Sequence, residues 1–289
     1  MTKSEFQQLT EQGIVLLDGA TGSYLRAYGM PRDICVEDWI CSHPELLSEL
    51  QKQYEAAGSQ IVYAPTFSAN SISLKKHGLE HEVERLNTGL VEISRKAVSS
   101  KVLVAGDLTT TGELLEPLGE MEEEELFEVY CRQIRALYEA GADLLVAETM
   151  LSVAETEVAV KAAKEVCELP VMCTLTVSEN GRALFGGTAV EAVESLQELG
   201  AAAVGINCST GPVQMGQVIA DMKAAAKVPI IAKPNAGLPK TDSDGNIYYD
   251  MQPEEFAQNM KKLLDNGADI VGGCCGTSPA YIAELAKLI

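Results

Sequence analysis

The feature that most constrains the fold is a repeated alternation of short apolar runs with longer segments of helical periodicity. Nearly every apolar run ends in glycine, proline or a small polar residue, which is typical of repeated β-α units. Several helical segments stop at glycine, the usual C-terminal cap, as at Gly58, Gly141, Gly200 and Gly267. We predict eight strands, over residues 13–18, 60–65, 101–107, 142–148, 170–176, 202–207, 229–233 and 268–273.

Eight parallel strands with intervening helices in a chain of 289 residues predict a single (β/α)8 TIM barrel, one domain over residues 1–289. An open doubly wound sheet is the alternative, but no G-x-G-x-x-G motif follows the first strand. No Pro/Ser-rich linker or low-complexity segment divides the chain. In such barrels the chemistry lies at the C-terminal ends of the strands, so function is expected in the segments that follow them.

Composition excludes several classes of function. The formal net charge of -20 would repel phosphate backbones and anionic lipids, so we expect neither nucleic acid nor a membrane surface as a partner. No apolar run approaches the roughly 18 residues that a membrane span needs. The irregular spacing of the eight cysteines and the polar start of the sequence predict a cytoplasmic protein with reduced thiols.

Two of the segments that follow strands contain cysteine. Cys208 follows the sixth strand, and Cys274 and Cys275 close the eighth. Because these strands are second neighbours in a barrel, their loops are expected to meet over the central opening. Adjacent cysteines rarely bond to each other, and three thiolates with one open position describe a catalytic zinc site. We therefore predict Zn²⁺ bound by Cys208, Cys274 and Cys275.

The other cysteines are expected to have structural roles. Cys131, Cys167 and Cys173 lie inside helix or strand patterns, where a free thiol packs as a small apolar group. Cys35 and Cys41 lie in a loop after the first strand, at a spacing that fits no common metal motif.

Five segments after strands together resemble the homocysteine S-methyltransferase family, and especially the homocysteine-binding barrel of cobalamin-dependent methionine synthase. They are "DGATGS", "AETM", "GINCSTGP", "PNAGLP" and "GGCCGTSP", and the likeness runs from about residue 13 to the last helix. The most specific part of this likeness is the pair of adjacent cysteines together with the distant Asn-Cys sequence. The resemblance implies an enzyme that transfers a methyl group to the thiol of homocysteine, giving methionine, with zinc on the three cysteines as ligands.

The ligand type suits this chemistry. A free thiol has a pKa of about 8.5, so little of it is nucleophilic thiolate at neutral pH, and zinc removes that limit by releasing the proton. Three protein thiolates leave the ion with a net formal charge of about -1, and a fourth makes it about -2. The substrate sulfur therefore stays electron-rich, whereas three histidines would serve water activation better.

Homocysteine also carries an ammonium and a carboxylate. Asp18 and Glu148, at the ends of the first and fourth strands, are the candidates to bind the ammonium. Backbone N–H groups of residues 19–22, beginning with Gly19, together with Thr66, are expected to receive the carboxylate. We expect either the amide oxygen of Asn235 or a water to fill the open zinc position when substrate is absent.

The methyl donor is expected to come from outside this barrel. No histidine has an aspartate two positions before it, so the D-x-H-x-x-G signature of the corrinoid-binding domain of methionine synthase is missing. The motifs and the 5% aromatic content favour a separate methyl-corrinoid protein as donor, with S-methylmethionine or betaine as alternatives. A Schiff-base lyase using Lys233, which leaves the cysteines unexplained, and a non-enzymatic zinc-binding protein are the alternatives from other classes.

Overall fold

The computed structural model describes residues 1–243, 245 and 247–289. One sheet contains eight strands, and every pair of neighbours in it is parallel. A separate antiparallel pair, β8 (Lys240–Thr241) and β9 (Ile247–Tyr248), follows the seventh strand. The strands of the main sheet are β1 (Val15–Leu16), β2 (Ile61–Ala64), β3 (Leu103–Leu108), β4 (Leu144–Met150), β5 (Val171–Leu175), β6 (Ala203–Cys208), β7 (Ile230–Pro234) and β10 (Ile270–Val271).

The sheet closes on itself. Its order is β1-β10-β7-β6-β5-β4-β3-β2, and a parallel bridge between Leu17 and Ile61 joins the last strand to the first. The predicted (β/α)8 barrel is therefore confirmed. The eighth predicted strand, 268–273, is longer than β10, which comprises only Ile270 and Val271. Hydrogen bonds to both neighbouring strands nevertheless continue beyond it, from Gly272 to Ala232 at 3.2 Å and from Gly273 to Asp18 at 3.0 Å.

Helices surround the barrel, and helix-capping residues in the sequence mark several of their ends. Gly58, Gly141, Gly200 and Gly267 all have positive φ just beyond or at a helix end, as predicted. The helices are α1 (Lys3–Glu11), α2 (Gly22–Ala27), α3 (Val36–Ser42), α4 (Pro44–Ala56), α5 (Ser71–Lys75), α6 (Val83–Ala97), α7 (Glu123–Glu139), α8 (Val153–Val166), α9 (Ala189–Leu199), α10 (Pro212–Ala225), α11 (Pro253–Asp265) and α12 (Pro279–Ala286).

The barrel interior is apolar in its lower part, the half nearer the N-terminal ends of the strands. Alternate side chains along each strand point inward, and in this half they are apolar. Phe6 of α1 belongs to this interior cluster together with residues from all eight strands of the barrel. Two or four residues further along several of these strands, the side chains become polar or charged. The apolar members from the strands and their flanks are Val15, Leu17, Ile61, Tyr63, Ala105, Leu144, Val146, Met172, Ala203, Ile231 and Ile270, with Leu103 packed against them.

In the part of the chain that the structure describes, no helix combines the length and the apolar character that a membrane crossing requires.

Candidate metal and substrate site

The three cysteines predicted to bind zinc come together at the C-terminal end of the barrel. Cys208 is the last residue of β6 and has a φ of 56°, in the left-handed region. Cys274 and Cys275 follow β10 after Gly272 and Gly273, and the amide of Cys274 donates to the carbonyl of Pro234 at 2.7 Å. Gly276 then turns the chain with a φ of 81°. The ends of second-neighbour strands thus meet as expected for a barrel.

The spacing of the sulfurs fits a tetrahedral ion. All three Sγ atoms lie within 4.8 Å of one another, and those of Cys208 and Cys275 are 3.9 Å apart. Sulfurs bound at about 2.3 Å around a tetrahedral zinc are separated by about 3.8 Å. Among the described residues this is the one group of three or more His, Cys, Asp or Glu side chains that converges in this way. The donor set and its spacing therefore suit Zn²⁺.

Asn207 links the thiol cluster to the end of β4. Its side-chain amide donates to Thr149 Oγ1 at 2.7 Å and approaches Cys274 Sγ at 3.8 Å, while its Oδ1 accepts from the amide of Thr149 at 3.0 Å. Thr149 has a φ of 57°, a strained conformation that these contacts hold in place. Asn207 therefore fixes both a thiol and the residue after Glu148. The sequence showed the Asn-Cys pair, but not this role.

The thiols of the cluster differ from the packed cysteines in their protonation. Hydrogen bonds from Cys208 and Cys274 lower the pKa of Cys275 to about 3, whereas the contacts with Cys274 and Cys275 raise the pKa of Cys208. One sulfur thus ionises first, and its neighbours donate to it. Burial alone raises the pKa of Cys173 to about 12, so that thiol stays protonated. Thiolate character is therefore expected first at Cys275, one of the three predicted metal ligands.

Asp18 and Glu148, predicted to bind the substrate ammonium, lie in the same cavity as the thiols, but a lysine lies between them. The Nζ atom of Lys233 is 3.1 Å from Glu148 Oε1 and 3.6 Å from Asp18 Oδ1, and it stands 4.7 Å from the centre of the Tyr63 ring. Asp18 also accepts from the amide of Tyr63 at 2.8 Å. The two carboxylates are therefore partly neutralised before any substrate binds.

Burial controls the charges of this group. It raises the pKa of Asp18 to about 7 and raises that of Glu148, against the opposing effect of Lys233. Burial also opposes the charge on Lys233, but Glu148 and Asp18 outweigh it and raise the lysine pKa well above its ordinary value. A Schiff-base nucleophile must be a neutral amine, so an ammonium held in this way does not suit a lyase.

Asp107 is a third buried carboxylate at the inner end of the cavity, and no sequence motif marks it. It lies on β3, is 4% exposed, and its Oδ1 has no hydrogen-bond partner among the described residues. Burial and the negative charge of Glu148 raise its pKa well above the ordinary value. The available signal was its position two residues after Ala105, which places both side chains on the inner face of one strand.

Of the remaining predicted residues, Gly19 lines the cavity, whereas Thr66 and Asn235 are not among its lining residues. A Cβ at Gly19 would meet Tyr54 Oη at 2.7 Å, so only glycine fits. Thr66 is fully buried, and its hydroxyl donates to the carbonyl of Asp107 at 2.6 Å and accepts from the amide of Asp107 at 3.0 Å. Asn235 is 2% exposed, and its Oδ1 has no partner among the described residues.

The cavity itself has a volume of about 390 Å³. Its inner end holds the three thiols and the charged group. Its outer end is lined by residues from the segments after β1 and β2, including Ile34, Glu37, Phe67 and His77. One continuous space thus connects the thiol cluster to the outside through these two segments.

The other cysteines lie away from the metal cluster. Cys131 and Cys173 are buried in the hydrophobic layer between barrel and helices, and Cys167 packs against it. Cys35 lines the outer end of the cavity, and its thiol contacts the Glu37 carboxylate at 3.5 Å. Cys41 is half-buried in α3.

The fold and the cysteine site define a class of enzyme. The model of the homocysteine S-methyltransferase family matches residues 15–289. This chain therefore belongs to the homocysteine S-methyltransferase family. The resemblance read from the motifs is confirmed, and with it the enzyme class.

Individual relatives agree with this assignment. The chain is 27% identical over 304 residues to methionine synthase of Mycobacterium tuberculosis, covering 99% of this chain and 25% of that protein. It thus spans about a quarter of the length of that curated relative. The metallated form of the homocysteine methyltransferase MmuM from Escherichia coli has the same fold, with a TM-score of 0.82, 24% identity, and coverage of 98% of this chain and 99% of that one. The apo form of MmuM gives a TM-score of 0.76 at 25% identity, with coverage of 96% and 97%.

Proposed function

We propose that this chain transfers a methyl group to the thiol of homocysteine, giving methionine, and that it does so with Zn²⁺ bound by Cys208, Cys274 and Cys275. The observation that carries the proposal is the convergence of three thiols in a cavity that also contains carboxylates. Zn²⁺ bound there would supply the positive charge that lets the substrate thiol lose its proton near neutral pH. Binding and orienting the rest of the substrate falls to the protein.

We assign the ammonium of homocysteine to the carboxylates of the inner cavity. Glu148 and Asp18 remain the proposed partners, and Asp107 adds a third acid whose Oδ1 is buried without a hydrogen bond. The substrate carboxylate is assigned to the backbone amides of residues 19–22, beside Gly19. Because the Thr66 hydroxyl is already engaged by β3, its proposed contribution is to hold that strand end in place.

We further propose that Asn235 occupies the fourth zinc position when homocysteine is absent. Asn235 directly follows β7. The amide of the next residue, Ala236, donates to the carbonyl of Cys275 at 2.9 Å, which holds this segment beside the thiols. A buried amide oxygen without a partner costs free energy, and a metal ion would satisfy it. Water is the alternative ligand.

Metal analysis of purified protein tests the zinc centre. We expect about one zinc ion per chain in the wild type, as for three converging thiolates with one open position, and near-zero zinc in Cys274→Ser. Cys131→Ala is the matched control, because that thiol is buried in α7 outside the cluster and its loss should leave the zinc content unchanged. Equal and near-zero zinc in the wild type and Cys274→Ser would remove the metal site.

For the donor we propose a separate methyl-corrinoid protein. Large apolar side chains are exposed on the face of the barrel that carries the thiols, including Leu118 at 71%, Leu184 at 70% and Ile247 at 66% exposure. They lie in the segments that follow β3, β5 and β7, so a protein donor that covers this end of the barrel would contact them. The small donors S-methylmethionine and betaine are the second candidate, favoured by the outer end of the cavity, where Phe67 and Glu37 offer an aromatic ring and an acid to a cation.

Parallel assays distinguish the donors. Homocysteine is supplied with methylcobalamin, a methylated corrinoid protein, S-methylmethionine or betaine, and methionine is followed. We expect turnover with the corrinoid donors. Efficient turnover with a small cationic donor and none with either corrinoid would reject the corrinoid proposal and leave the zinc chemistry intact. No thiol-dependent turnover with any donor would favour the non-enzymatic zinc-binding protein.

A further inference from the structure

Lys233 is a buried cation inside a cavity otherwise rich in acids. Its side chain is 4% exposed, and its ammonium lies between Glu148 and Asp18 over the ring of Tyr63. Among the described residues that line the cavity, it is the one lysine or arginine, against four carboxylates. Those carboxylates are Asp18, Glu37, Asp107 and Glu148.

This arrangement changes what the acids can do for a ligand. Without the lysine, three neighbouring carboxylates at the inner end would attract any cation, whether or not it carried an anionic group. With Lys233 present, one negative charge is offset and an ammonium faces part of the inner cavity. Charges separated by a few ångströms in a partly dry cavity interact strongly, so this ammonium favours an anionic group on the ligand and disfavours a second cation.

We propose that Lys233 is a specificity-determining residue, which selects aminothiols that carry a carboxylate over aminothiols that do not. The inference rests on the proposed function, because it takes homocysteine as the ligand of this cavity. Discrimination arises from repulsion of the purely cationic ligand as well as attraction of the zwitterion. Lys233 thereby makes the amino acid, rather than any small thiol amine, the preferred substrate.

The test compares two ligands that differ only in the carboxylate. Homocysteamine is homocysteine without its carboxylate, and it keeps the same separation of thiol and ammonium. Calorimetry on zinc-loaded protein gives the dissociation constant of each ligand for the wild type, Lys233→Met and Lys233→Arg. We expect the wild type and Lys233→Arg to prefer homocysteine. In Lys233→Met the ratio of the two constants should fall by roughly tenfold or more, the size expected for one charged contact.

A second variant guards against a failure to fold. Lys233→Met leaves buried carboxylates without their counter-ion, which is destabilising. The double variant Lys233→Met with Glu148→Gln removes one of those acids, and the ratio of the two constants still reports on Lys233 when it is compared with Glu148→Gln alone. An unchanged ratio in the folded variants would overturn the proposal for Lys233. Failure of the wild type to bind homocysteine would instead reject the proposed function.

Discussion

The lower and upper parts of the barrel interior are built from the same strands but contain opposite kinds of side chain. On β3 the inner face carries Ala105 and then Asp107, and on β7 it carries Ile231 and then Lys233. The alternation of strand side chains places both members of each pair inside the barrel. The lower layer is apolar and buried, whereas the upper layer buries charged groups that are stabilised by one another and, for Asp18, by the amide of Tyr63. We infer that the lower layer supplies stability and the upper layer supplies binding.

The largest expected effect is a loss of stability on substitution in the lower layer. Ile231→Ala leaves a cavity among fully buried side chains, and we expect it to lower the free energy of unfolding by about 2–5 kcal/mol. Denaturant unfolding measures this loss. Zinc content and homocysteine affinity of the folded variant should stay at wild-type values, since the residue lies beneath the charged layer. Val213→Ala, at a side chain that is 56% exposed, is the control and should change stability by less than about 0.5 kcal/mol.

A substitution in the upper layer should show the reverse pattern. Glu148→Gln removes one charge that is proposed to receive the substrate ammonium, and we expect homocysteine affinity to fall by about 1.5–3 kcal/mol, the range for a hydrogen bond to a charged group. Zinc content should not change, which calorimetry and metal analysis can establish on the same sample. Glu198→Gln, at the exposed surface pair with Lys227, should leave the affinity unaltered. Wild-type affinity in Glu148→Gln would exclude that residue from the site.

The smallest expected effect is on zinc affinity, and it comes from Asn207, which links the charged upper layer to the thiols. Asn207→Ala removes the amide that approaches Cys274 Sγ and holds Thr149, and we expect zinc affinity to weaken by about 10–100-fold, typical for a residue that supports a metal ligand. This range corresponds to about 1.4–2.7 kcal/mol. Competition with a chelator measures it. Thr149→Ala keeps the contact with sulfur, so a comparable loss of zinc in that variant would show that the bond from Asn207 to the Thr149 hydroxyl, rather than the N–H···S contact, is responsible.

The sequence predicted the barrel because each strand had a clear apolar run and each helix a clear period. It also placed Cys208, Cys274 and Cys275 correctly at the ends of their strands, since the order of strands in a barrel follows from the order in the chain. The pairing of Lys233 with Asp18 and Glu148 was not predicted, because charges on different strands meet only once strand order and register are fixed.

Thr66 and Asp107 illustrate the same limit. A threonine after a strand can point into a cavity or bond to the neighbouring strand, and the sequence does not distinguish these outcomes. The hydroxyl bonds to the backbone of Asp107 on β3. Asp107 itself ends a strand as Asp18 does, but it had no motif to mark it. Counting two residues onward from each apolar position would have identified it.

We propose that three protein thiolates bind zinc and leave one position for the sulfur of homocysteine. X-ray absorption at the zinc edge counts the sulfur ligands directly. For the zinc-loaded wild type we expect three sulfurs and one lighter ligand, and four sulfurs after homocysteine is added, at about 2.3 Å each. A sulfur count that stays the same at saturating homocysteine, or that is below three in the absence of the ligand, would contradict the account.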